Sequence, residues 1–288
     1  MAYGLLLIAY GLWLMASIFT KLKHNGMSEQ TSQPIHIEQQ QGVATIAFNR
    51  PSALNAINVP MAQALLQAVQ QLTQDASVRC IVLRGEGRAF MAGGDLAALQ
   101  ANPEQAAQDL IAPLHMAVTL LASGNAPVIA QVQGAAAGAG LSLMLHADMV
   151  LAAEGTQFNM AYTKLGASCD VGASWTLPRL VGLRHALEIA LLSEPLNTEQ
   201  ALRLGLINRV LPIADLPSAV MRLAKQLANG PTQAYGQIRR LMRVSFDQDL
   251  HTQLNAEAQA FLQCTRTADF SCGINAFFNK SPTAFSGK

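Results

Sequence analysis

Two hydrophobic periodicities divide this chain. Between Ile35 and Ala153 short apolar runs alternate with amphipathic stretches. IHIEQQ and VATIAF read as two strands joined at Gln41-Gly42, and Arg50-Pro51 ends the second, because proline cannot continue a ladder. Met61 to Thr73 places Met61, Leu65, Leu66, Val69 and Leu72 on one helical face. CIVLR (80–84) and PVIAQV (127–132) are continuous apolar runs suited to strands covered on both sides. Glu104 to Ala122 predicts a second helix, Gly138 to Ala147 a third, and Met149 to Ala153 a further strand. From Ala186 onward only helical patterns remain, near 186–193, 198–204, 215–228, 232–245 and 249–264. Alternation followed by helices alone predicts an α/β core with a helical carboxy-terminal part. The Asn229-Gly230-Pro231 punctuation divides the expected units into 27–228 and 229–288.

The first twenty residues carry no charge, and Lys21 and Lys23 follow them. A cleaved secretory signal would carry its positive charge before the apolar run. Two readings of 1–26 stay open. One is a membrane anchor that leaves the globular part on the cytoplasmic side. The other is a start at Met27, which opens a polar leader suited to a cytoplasmic enzyme.

Charged residues make up only 13% of the 288 positions, about half the usual share, so much of the surface is expected to lie in subunit contacts. A net charge of +1 and the lack of a basic stripe exclude an evident nucleic-acid interface. Cys80, Cys169, Cys264 and Cys272 form no CxxC and no zinc-spaced cluster, so no metal is expected and the thiols read as isolated and reduced.

Two small-residue loops carry the candidate chemistry: Gly87 to Leu96 (GRAFMAGGDL) and Gly134 to Gly140 (GAAAGAG). Each follows a buried strand and leads into a helix. Their backbone can approach a ligand closely, and the first N–H groups of a helix lack internal partners. Such donors can hold a developing oxyanion. Neither loop has phosphate-loop spacing. Turn formation and close packing alone would also explain the glycines.

Taken in order, Asn49-Arg50-Pro51-Ser52-Ala53-Leu54-Asn55-Ala56, GRAFMAGGDL, PVIAQVQGAAAGAG, FNMAYTKLGASCDVGASWTLPRLVG, TEQALRLGLINRV and the pattern from Phe270 to Lys280 resemble the enoyl-CoA hydratase/isomerase (crotonase) family. The resemblance runs from about Ile35 to Phe285. It implies a spiral of ββα units with a helical carboxy-terminal trimerisation region, assembled as trimers or paired trimers. It implies an acyl-CoA substrate, coenzyme A entering as part of that substrate and no separate cofactor. By position, Gly94 and Ala139 would give the two oxyanion N–H donors. Ala53, Leu54, Ala56, Ala92, Gly93, Gly94, Asp95, Leu96, Gly138 and Ala139 would line the coenzyme A and acyl path.

The acid–base positions separate the possible reactions. Hydratases of the family use two glutamates, whose places here hold Ser142 and Tyr162. Neither hydroxyl ionises near neutrality. Asp170 is the carboxylate left nearby. On composition it could equally be a helix N-cap. The stretch around it resembles the epoxyphenylacetyl-CoA isomerase group, in which an aspartate here is the acid/base, and 4-chlorobenzoyl-CoA dehalogenase, in which it is a nucleophile. Isomerisation through Asp170 is therefore the leading expectation. His115 could be a packed residue on an apolar helix face, or, as the dehalogenase resemblance implies, the group that activates water. Tyr162 is a further candidate, whereas His146 reads as structural. Residual hydratase activity, dehalogenase-like hydrolysis and non-catalytic binding of coenzyme A thioesters are the competing readings.

Overall fold

In the computed structural model residues 33–288 are described, and the apolar amino-terminal segment lies outside them. Gln41 and Gly42 both take positive φ (52° and 79°), as a tight hairpin turn requires. They fold β1 (Ile35–Gln40) back antiparallel on β2 (Val43–Phe48). β3 (Cys80–Gly85), β4 (Val128–Val132), β6 (Met149–Ala153) and β8 (Arg209–Leu211) then add in parallel, giving the order β1-β2-β3-β4-β6-β8.

The parallel strands are mostly apolar because helices cover both faces. Ile81 and Leu83 of β3 enter the main core, whereas Cys80 and Val82 point to the other side. The main core is closed by α1 (Val59–Gln74) through Met61, Leu65, Val69 and Leu72. α3 (Pro103–Ser123), which follows the short α2 (Leu96–Ala101), adds Leu114, Ala117 and Leu121. The opposite face is closed by α8 (Leu216–Ala228) through Val220, Leu223 and Leu227.

A second, smaller layer positions the site. β5 (Ala135–Ala137) pairs in parallel with β7 (Gln157–Asn159), and single bridges join Met91 to Ala136 and Ile57 to Gly94. Successive strand–strand–helix units therefore wind around the core, as the resemblance implies. β5, β7 and β8 are three-residue strands, too short for any alternation to declare them. The expected helix from Gly138 to Ala147 is confined to α4 (Ala139–Met144) and ends in turns before β6.

α5 (Ala173–Val181) starts the helical part earlier than the hydrophobic pattern indicates and contains Pro178. α6 (Leu183–Leu192), α7 (Thr198–Arg203), α9 (Thr232–Val244) and α10 (Leu250–Cys264) match expected segments. α11 (Ala268–Asn279), capped by Thr267, has no counterpart among them. Beyond Asn229 the arm is fastened to the core. Arg239 donates to the carbonyls of Gly124 and Leu121 at the end of α3 and pairs with Asp148. No described helix is long and apolar enough to cross a membrane.

Candidate active site

Three loops meet at the edge of the second layer. Asn55 is completely buried, and its amide donates to the carbonyls of Glu86 (3.0 Å) and Ala89 (2.8 Å). Its Oδ1 accepts from Arg50 N, so this one side chain ties the turn after β2 to the first glycine loop. Leu54 O accepts from Ala92 N (3.0 Å), Ile57 N donates to Gly93 O (2.7 Å) and Asp95 N donates to Ile57 O (2.9 Å). Ala53, Leu54 and Ala56 are thereby laid along Ala92, Gly93, Gly94 and Asp95. Asp95 caps α2 through Ala97 N and pairs with Arg50 at 3.0 Å. Leu96 opens that helix and is exposed.

The second glycine loop is stitched onto the first. Met91 N donates to Ala135 O and Ala137 N to Met91 O. A Cβ built on Gly138 would lie 3.6 Å from Gly93 Cα, so the loops touch backbone to backbone. Gly138 has φ +48° and ψ −125°, a conformation hostile to L side chains. Gly94 lies beside it, and Ala139 opens α4. Among the described residues, neither the Gly94 nor the Ala139 N–H donates to a backbone acceptor in a turn, loop or cap.

From this junction a hydrogen-bonded chain leads to the expected carboxylate. Ser142 Oγ lies 3.2 Å from Gly138 O and 2.9 Å from Tyr162 OH, and its hydroxyl donates to one or the other. Tyr162 OH donates to Asp170 Oδ1. Burial foremost, then the charge of Asp170, pushes the Tyr162 phenol well above its ordinary value. It is a proton donor at neutral pH and cannot be the base. Asp170 does not cap α5 with its side chain: the N-cap is Gly172, without a side-chain bond.

Val171, the next residue, has φ +50° and is fully buried. A β-branched residue in the left-handed region costs on the order of 1–3 kcal/mol. His115 Nε2 accepts from Val171 N (3.2 Å), and His146 Nε2 faces Val171 O (2.8 Å). His115 is thus not a core residue; it is exposed at its α3 position and bound to backbone, not to the Asp170 carboxylate. Burial lowers the proton affinity of His146, the Val171 carbonyl opposes that, and the charges of Arg243 and His115 lower it further. A cavity of about 570 Å³ opens beside His115, His146, Gly172 and Trp175, with Arg240 and Arg243 on its wall.

Gly94, Ala139, Tyr162 and Asp170 fall in one connected region, as the sequence suggests. Asn55, Val171 and His146 were not foreseen as parts of it. The left-handed valine carries no sequence signal, because its conformation is imposed by contacts from α3 and the end of α4.

The enoyl-CoA hydratase/isomerase family model matches residues 38–288. The chain belongs to the enoyl-CoA hydratase/isomerase family. Two similar proteins share 38% identity over 257 residues, 88% of this chain. They are a Rhodobacter capsulatus protein named "Probable enoyl-CoA hydratase" (98% of its length) and the 1,2-epoxyphenylacetyl-CoA isomerase of Escherichia coli K12 (97%). The 4-chlorobenzoyl coenzyme A dehalogenase-2 of an Arthrobacter species is 34% identical over 258 residues, 88% of this chain and 94% of its own. The crystal structure of an enoyl-CoA hydratase from Polaromonas sp. JS666 superimposes with a TM-score of 0.83 at 31% identity, covering 87% of this chain and 99% of that one. Relatives of comparable similarity are thus named for different reactions.

Proposed function

We propose that this crotonase-family enzyme isomerises an enoyl-CoA thioester, moving a double bond or opening a strained ring through a stabilised enolate. The observation that carries this reading is the chain Ser142–Tyr162–Asp170. Both places held by glutamate in family hydratases carry hydroxyls here, and both hydroxyls lead to one carboxylate.

The thioester oxygen would sit between the N–H groups of Gly94 and Ala139. Each such donor lowers a barrier by roughly 3 kcal/mol, because it is aimed before the charge develops. Asp170 would take a proton made acidic by the thioester and return it at another carbon of the same dienolate. Tyr162, held neutral by its surroundings, would donate to the Asp170 carboxylate and fix its orientation. Isomerisation needs one group that both accepts and returns a proton, which a single aspartate supplies. Hydration requires an additional group to activate and deliver water. Coenzyme A enters with the substrate, along the turn from Ala53 to Ala56 and the Ala92–Leu96 stretch. A trimer would bury the apolar surface exposed on α10 and α11.

Hydrolysis in the manner of the dehalogenase relative is the second reading, favoured by the closeness of His115 to the Asp170 loop. Its Nε2 is, however, engaged by Val171 N–H, so it would have to leave that bond to activate water. Turnover of 2-enoyl-, 3-enoyl- and aryl-CoA substrates, with product identity by mass spectrometry and NMR, tests the choice. The expected result is 3-enoyl to 2-enoyl conversion faster than hydration. Faster hydration of crotonyl-CoA would overturn the proposal.

A further inference from the structure

The peptide that follows Asp170 is gripped from both sides by imidazoles belonging to other elements. Val171 N–H is held by His115 of α3, and Val171 C=O lies 2.8 Å from Nε2 of His146, in the turn after α4. A carbonyl can only accept, so His146 carries its proton on Nε2. His115 must offer a bare Nε2, because the Val171 amide can only donate. The two rings are thus in opposite tautomers, and their polarity matches the peptide between them.

The surroundings are shaped for this grip. Gly172 makes room for the ring, since a Cβ there would stand 2.7 Å from His146 Nε2. His146 is itself anchored by Arg243 of α9, which donates to its carbonyl at 3.2 Å. The residue gripped is the left-handed Val171, which directly follows Asp170.

We propose that His146 is a positioning residue: by donating to Val171 O against the opposing hold of His115, it locks the strained Val171 and so aims the Asp170 carboxylate. This rests on the assignment of Asp170 as the acid/base. In this role the effect of His146 passes through one peptide.

The test uses the full chain with His146→Leu, His146→Gln and His146→Asn, and measures kcat, KM and thermal midpoint for whichever CoA thioester the wild type turns over. Leucine fills the space and cannot donate. The glutamine amide reaches the carbonyl as Nε2 does, whereas that of asparagine is one carbon shorter. The leucine variant should lose about 10²-fold in kcat, with KM little changed, because small misplacements of a catalytic group cost that much. Glutamine should recover most of that loss, and asparagine should not. An unchanged kcat in the leucine variant, equal activity of the glutamine and asparagine variants, or a loss confined to KM would overturn the inference. Should the leucine variant not fold, the glutamine–asparagine difference decides alone. Asp170→Asn in parallel separates the two claims. If it retains turnover, the assignment of Asp170 fails; if it is inactive while the His146 variants behave alike, only the positioning role fails.

Discussion

The hydroxyl of Tyr162 touches Ser142 and Asp170 and keeps its proton at any physiological pH. In the proposed mechanism proton transfer therefore rests on Asp170. Asp170→Asn preserves shape and removes the base, so turnover should fall by ~10²–10⁴-fold while acyl-CoA affinity, read by calorimetry, stays close to wild type. His146 offers a separate handle at the same scale. Burial holds its folded-state value below the ordinary 6.5. Below that pH the unfolded chain takes up a proton that the folded chain refuses. The contribution of His146 to stability is thus present above pH 6.5 and lost as pH falls below it. Urea midpoints between pH 5 and 7.5 should drop more steeply in the wild type than in His146→Gln. Parallel curves would show that His146 does not titrate in this way.

Among the elements, the junction of the two glycine loops is set by backbone contacts that tolerate no added atom. A Cβ on Gly140 would collide with the Met91 carbonyl oxygen, and that oxygen accepts from Ala137 N in the bridge joining the loops. Gly140→Ala should therefore push the loops apart. Overpacking of this kind costs about 1–3 kcal/mol, measurable by denaturant unfolding. The same shift would displace Ala139 N–H relative to Gly94 N–H, so kcat should fall as well. A variant as stable and active as the wild type would show that the loops slide freely.

At the scale of the molecule, the carboxy-terminal helices leave large apolar side chains in water. Phe277 is 78% exposed, Phe278 76%, Leu250 72% and Phe261 62%. Such a surface rarely stays uncovered on a lone soluble domain. The protein should sediment as a trimer or a multiple of it, and Phe277→Asp with Phe278→Asp should shift it toward smaller species. A monomeric wild type at micromolar concentration would remove that expectation.

The alternation of apolar runs with amphipathic stretches was enough to place β1 to β4, β6, α1, α3 and most later helices, because long periodic segments bury a whole face. The ordered motifs pointed to the family and to Gly94, Ala139 and Asp170, because those residue types are tied to the backbone geometry and chemistry of a site. The family resemblance also implies that Ser142 and Tyr162 stand where hydratases carry glutamates. It could not tell that their hydroxyls join each other and Asp170, since that depends on a loop crossing from Gly138 to Val171 in space. β5, β7 and β8 stayed hidden because three residues hold no period. Asn55, Val171 and His146 stayed hidden because their importance lies in contacts with segments distant along the chain. Only the tertiary structure brings two imidazoles to one peptide and holds a valine where its own side chain would not let it rest.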